Sequence, residues 1–190
     1  MPSLSRFAID VPDTLLAQAR AGRQDAFEQI YRWFERPVFT LALRICGDRE
    51  EASEVLQDTM LKVFHHIGDY RGGSPFWGWL RQIAVNEALM RLRRSRKLDG
   101  EVAMGGDDLP DDHGPLPPAA ADADAAMLQR ALAALPVATR TVLWLYHAEG
   151  YTHDEIAAMT QRTASFSKSQ LARGTRRLRA LLQIEEPAHA

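Results

Sequence analysis

Residues 98–123, LDGEVAMGGDDLPDDHGPLPPAAADA, constrain this chain more than any other stretch. Gly, Pro and Asp dominate it, and neither a helical nor a strand period runs through it, so it reads as a linker. Between Leu98 and Gln129 there are eight acidic residues and no Lys or Arg. On either side, apolar residues return at helical spacing and no stretch alternates as a strand would. The fold class that follows is all-α: two small helical domains, 1–97 and 124–190, joined by an acidic flexible linker at 98–123. Fully stretched, that linker would reach about 80–90 Å. A length of 190 residues suits two such domains, and an apolar content of 46% is enough to give each a core.

In the first domain, Leu15, Leu16 and Ala19 mark a first helix, and Ala21-Gly22-Arg23-Gln24 makes the turn after it. Phe27, Ile30, Tyr31 and Phe34 give a second helix its face, and Pro37 predicts the first turn of a third, running to Cys46 and closed by Gly47. Asp48 predicts an N-cap for a further helix with Ala52, Val55, Leu56, Thr59, Val63 and Ile67 inward. Glu51, Glu54 and Asp58 stack on the outer side of that helix, either as a solvated face or as a docking surface. The loop 69–75 holds paired glycines but no Gly-Lys-Ser/Thr, so it is not a phosphate-cradling loop.

The segment 76–97, FWGWLRQIAVNEALMRLRRSRK, can run as one helix. Leu80, Ala84, Ala88 and Leu92, with Phe76 and Trp77, form its apolar side. A second stripe, Trp79, Gln82, Asn86 and Arg93, sets a ring, two amides and a guanidinium in line. Its end gathers Arg91, Arg93, Arg94, Arg96 and Lys97. Phosphates attract cations, and unpaired bases gain stacking and hydrogen bonds, so this combination suits nucleic acid. The alternative is a core helix whose Arg-rich last turn complements its own dipole.

The second domain restarts at Asp124, with Met127, Leu128, Ala131, Leu132 and Leu135 as an apolar face stopped by Pro136. Residues 137–149 predict a helix with Val142, Leu143, Leu145 and Tyr146 in its core, closed by Gly150. Thr152 and Glu155 form a capping box for a short helix, and Thr163 can cap the last helix, running to about Leu182. That helix has Ala164, Ser167, Leu171, Gly174, Leu178 and Leu181 inward, and Ser165, Lys168, Ser169, Ala172, Arg173 and Arg176 outward. A short helix, a tight turn and a longer basic helix make a helix-turn-helix; the plainer reading is an antiparallel pair with a basic face.

The lone Cys46 excludes a disulfide framework or Cys-based zinc site within one chain. The start lacks a signal pattern and no apolar run approaches membrane-spanning length, so a cytoplasmic protein without membrane insertion is expected. The six His residues are scattered and no HExxH, nucleophile elbow or Gly-rich cofactor loop occurs. An enzyme is therefore not expected, nor a cofactor or metal. A helix-turn-helix regulator that acts by binding DNA is one function class these features leave open.

Taken in order, DAFEQIY, LALRICGDREEASEVLQDTMLKVF, FWGWLRQIAVNEALMRLRR and ALAALPVATRTVLWLYHAEGYTHDEIA resemble the extracytoplasmic-function type of bacterial RNA polymerase sigma factor. The resemblance covers 13–97 and 124–182. It implies a protein that binds core RNA polymerase, directs it to a promoter class and helps melt it, often under an anti-sigma factor. It further implies that Glu51, Glu54, Gln57 and Asp58 contact polymerase. Loop 70–75, with Tyr70 and Arg71, would capture a base flipped out of the −10 element, and Trp79, Gln82, Asn86 and Arg93 would read that element. Ser165, Lys168, Ser169, Ala172, Arg173 and Arg176 would face the −35 element. The chain departs from the family pattern at Gln161 and Arg162, where Gly and an aliphatic residue are usual, and at Ser53, Ser167 and Gln170. A non-Gly residue in a left-handed turn costs about 1 kcal/mol, and a polar Ser167 on the inward stripe is expected to weaken packing. Weak −35 binding by the second domain alone follows.

Overall fold

A computed structural model of the chain describes residues 9–98 and 123–183. The expected linker lies outside the described residues apart from its two ends. All described regular structure is helical, and the chain divides into two compact units, Met1–Val102 and Ala103–Ala190.

The first unit contains α1 (Asp13–Arg20), α2 (Gln24–Cys46), α3 (Arg49–His66), a 3-10 turn (Ile67–Asp69) and α4 (Phe76–Leu98). Helices α2, α3 and α4 pack against one another pairwise. From α2, Ile30, Phe34, Val38, Ala42 and Ile45 are wholly buried, at the spacing of one helix face. Facing them are Ala52, Val55, Thr59 and Val63 of α3, and Leu80, Ala84, Val85 and Ala88 of α4. The small Ala84 and Ala88 let α4 come close to α2: the Cys46 thiol lies 4.0 Å from the Ala88 carbonyl oxygen. Phe34 stacks on Trp77 with centroids 5.9 Å apart and meets Phe76 at 5.4 Å.

One expected boundary is absent. Pro37 does not begin a helix but sits inside α2, which is continuous from Gln24 to Cys46. An interior proline forfeits a backbone hydrogen bond and costs about 3 kcal/mol. Here Phe34, Val38 and Leu41 are buried on both sides of it, and that unbroken apolar stripe outweighs the local rule. The expected caps hold. Gly47, at φ 84°, ends α2, and the Glu51 amide donates to the Asp48 carboxylate at 2.9 Å to start α3.

The second unit contains α5 (Ala123–Ala133), α6 (Val137–Leu143), a π turn (Trp144–Ala148), α7 (His153–Thr160) and α8 (Ala164–Leu181). Leu132, Leu135 and Leu143 form a core cluster against which Leu171 and Leu178 of α8 pack. Leu145 and Ile156 are wholly buried. The capping box of α7 is complete, and the Phe166 amide donates to the Thr163 hydroxyl to open α8. Between them, Gln161 takes the left-handed conformation, φ 56° and ψ 39°, as expected from its place in the turn.

Some expected core positions lie outside. Tyr146 is exposed because α-helical winding gives way to a π turn at Trp144, which resets the face that later residues present. Met127 and Leu128 of α5 are also exposed, and so is Leu181 near the end of α8.

Gly174 of α8 allows α6 its close approach. A Cβ there would lie 2.6 Å from both Leu143 Cδ1 and Thr139 Cγ2. Gly174→Ala is therefore expected to destabilise the second unit by about 1–3 kcal/mol, although Ala alone would favour a helix. Thermal unfolding of the full chain followed by circular dichroism reads the sign. A raised midpoint would show that α6 and α8 separate freely.

Candidate functional site

Three exposed helix faces collect the residues singled out in the sequence, two in the first unit and one in the second. On α3, Gln57 and Asp58 are exposed and Glu51 is half-buried. Glu54 is exposed too, but its carboxylate forms an ion pair with Arg91 of α4. The acidic stripe is thus tied to the next helix at one point. Leu61, 57% exposed, follows Asp58 at i+3 on the same side. Phe64, 40% exposed, has its ring in an edge contact with Phe27 at 4.8 Å. Sequence reasoning missed both; their signal was that they fall off the inward period while being large and apolar. Beside them Lys62 pairs with the buried Glu87 of α4 at 2.5 Å, which fixes α3 against α4.

The second face is the outer side of α4 with the loop before it. Tyr70 is buried beneath the loop. Its ring meets Phe76 edge-on at 5.2 Å and Trp79 at 5.6 Å, and its hydroxyl donates to the Ser74 carbonyl at 2.5 Å. Burial holds this phenol above its ordinary pKa, with Asp13 adding to the shift and Arg20 opposing it. Residues 71–75, Arg71 among them, are exposed. Trp79 is half-buried, so its ring is anchored on one side by Tyr70 and Phe76. Gln82 is half-buried and donates its amide to Asn86 at 3.3 Å; Asn86 and Arg93 are exposed. Ring, amides and guanidinium therefore run along one line of the helix. Arg94 is exposed beside them, and the side chains of Arg96 and Lys97 lie outside the described residues.

The third face is α8. Ser165, Lys168, Ser169, Ala172, Arg173 and Arg176 are all exposed, as is Arg177. Lys168, Ala172 and Arg176, with His147, His153 and Arg179, also line an open cleft of about 350 Å³. The two histidines were not anticipated. His147 stands in the π turn, where a 3.6-residue period cannot place it, and His153 is anchored from two sides. Its ring stacks on Tyr146 at 4.7 Å, and its Nδ1 is hydrogen-bonded to the Ser167 hydroxyl at 2.9 Å. Ser167 is buried, and this bond corrects the expectation that its polarity weakens the packing of α8. Gln170 likewise has a partner, accepting from the Thr139 hydroxyl at 2.6 Å.

Among the described residues, no group of three or more His, Cys, Asp or Glu side chains could hold a metal ion, and no helix is long and apolar enough to cross a membrane. The faces instead offer exposed carboxylates beside a leucine, a ring with amides, and a cationic helix.

Two family models match the chain: Sigma-70 region 2 over residues 30–98 and Sigma-70, region 4 over residues 125–178. The ECF RNA polymerase sigma factor SigM of Mycobacterium tuberculosis is 34% identical over 169 residues, covering 88% of this chain and 83% of that protein. The RNA polymerase sigma-H factor of Pseudomonas aeruginosa is 28% identical over 178 residues, covering 89% and 92%. In fold, the sigma factor RpoE of Bartonella quintana, solved with the anti-sigma factor NepR, is similar with a TM-score of 0.54 and 23% identity, covering 84% of this chain and 98% of that one. A region 2 unit followed by a region 4 unit, each helical and each with its own core, accounts for most of the described chain: it belongs to the extracytoplasmic-function sigma factors, the non-enzymatic proteins that direct RNA polymerase to promoters.

Proposed function

We propose that the two units divide promoter recognition between them, with 98–123 as the tether. In this reading residues 1–97 dock on core polymerase through Glu51, Glu54, Gln57 and Asp58. They read and help melt the −10 element through the loop 70–75, with Tyr70 beneath it and Arg71 on it, and through Trp79, Gln82, Asn86 and Arg93. Residues 124–190 read the −35 element in the major groove through Ser165, Lys168, Ser169, Ala172, Arg173 and Arg176. The observation that carries the reading is the single line of Trp79, Gln82, Asn86 and Arg93 on α4, a ring and amides where unpaired bases could stack and bond. Melting gains because bases that leave the duplex find contacts that paired bases cannot make. Linking several weak contacts on one tether raises the effective concentration of each.

Because RpoE of Bartonella quintana was solved with an anti-sigma factor, an inhibitor of that kind is the natural partner for these surfaces when polymerase is absent. The cytoplasm, where polymerase works, is the proposed place of action.

The test is run-off transcription with purified core polymerase on a randomised promoter library. Enrichment of one −35 and −10 pair is expected, and no promoter-dependent transcript would sink the reading. Two variants divide the −35 contacts. Arg173→Ala should broaden −35 preference at a cost of about 1–3 kcal/mol. Arg177→Ala should weaken all sequences alike and flatten the salt dependence by about one unit of slope.

A further inference from the structure

Arg20 lies before residue 30, where the region 2 match begins, yet it reaches the loop assigned above to a promoter base. Its guanidinium sits at the C-terminal end of the 3-10 turn that follows α3. Nε donates to the Ile67 carbonyl oxygen at 3.4 Å, and a terminal NH₂ group donates to the Tyr70 carbonyl oxygen. The guanidinium carbon lies 5.9 Å from the centre of the Tyr70 ring. Helix ends leave carbonyls without partners, and a rigid planar fork can hold two of them in a fixed relation where an ammonium acts as a single point of charge. Helix α1 brings the fork there, held down by the buried Leu15, Leu16 and Ala19.

Order passes from Tyr70 into the loop. The phenol hydroxyl holds the Ser74 carbonyl, and the ring meets Phe76 and Trp79, so both ends of 71–74 are tied to one buried side chain. The tip has no such support. Gly72 takes φ 77°, and a Cβ added at Gly72 or Gly73 would meet nothing within 4 Å. The shape of the tip is thus set from its base.

We propose that Arg20 is a positioning residue for −10 recognition: by holding the Ile67 and Tyr70 carbonyls it fixes the geometry of loop 70–75, which makes α1 part of the base-reading apparatus. The inference rests on the reading of 70–75 as the loop that captures a base. It assigns Arg20 no contact with DNA.

The experiment uses the full chain with core polymerase on promoters varied one base at a time through the −10 element. Four variants are compared: Arg20→Ala, Arg20→Lys, a two-glycine insertion between Gly72 and Gly73, and Ile45→Val as a destabilised control remote from the loop. The insertion should flatten preference at one base. Arg20→Ala should flatten preference at that same base about tenfold, with core binding and the other positions unchanged. Arg20→Lys should restore part of it, and Ile45→Val should keep all of it. If the insertion flattens the preference and Arg20→Ala does not, the positioning role is overturned while the loop reading stands. An equal loss in Ile45→Val would reduce Arg20 to a stability residue and overturn the role as well. If the insertion leaves every base preference intact, the loop reading fails and the inference fails with it.

Discussion

Replacing Glu51 and Asp58 together by Lys is expected to lower affinity for core RNA polymerase by about a hundredfold or more, while the fold survives. Reversing a charge at a matched interface both removes an attraction and adds a repulsion, and lost interfacial charge pairs cost about 2–5 kcal/mol. On the fold the effect is small. Asp58 is exposed and Glu51 only half-buried, and exposed charges contribute about 0–1 kcal/mol. Glu51 also lies in the first turn of α3, where a positive charge opposes the helix dipole, but the Asp48 cap stays in place. Glu54 is deliberately left alone: its ion pair with Arg91 joins α3 to α4, so its reversal would mix docking with stability. Titration of labelled core polymerase, beside thermal unfolding of the variant, separates the two effects. Unchanged affinity would make the stripe a solvated face.

Asn86→Ala is expected to slow open-complex formation by about tenfold to a hundredfold and to relax preference at one −10 base, the loss of one base contact being worth about 1–3 kcal/mol. Asn86 is the cleanest probe on this face because its side chain is exposed, whereas Trp79 also packs on Tyr70 and Phe76. Its partner Gln82 would keep its place on the helix. A template carrying a pre-melted bubble should recover much of the rate without recovering the base preference. If the variant melts at a lower temperature but opens promoters normally, Asn86 supports the helix and does not read DNA.

Much of this architecture was legible because it is local. The caps at Asp48, Thr152 and Thr163 and the buried periods of α3 and α4 follow from neighbours three or four residues away, which a sequence displays directly. Pro37 misled because its cost is local while the compensating burial of Phe34, Val38 and Leu41 comes from two other helices. Tyr146 misled because a 3.6-residue period holds only while the winding does, and the π turn changes it. On the candidate faces, sequence spacing put Trp79, Gln82, Asn86 and Arg93 in line and the α8 residues on one side. It could not reveal that Tyr70 is buried, that Glu54 pairs with Arg91, or that Arg20 holds the loop. Each of those depends on residues distant in the chain meeting in space.

The bond between His153 and Ser167 ties the histories of two positions together. Ser167 stands on the inward side of α8, and its hydroxyl is buried with a ring nitrogen as partner. Had the serine arisen first, it would have stood as an orphaned polar group in the core, at about 1–3 kcal/mol. Had the histidine come first, its Nδ1 would have lacked the hydroxyl that now partners it. Either order passes through a less stable ancestor, so once paired the two residues resist drift one at a time. Lineages that keep His153 should therefore keep Ser167 with it, and those that revert should change both.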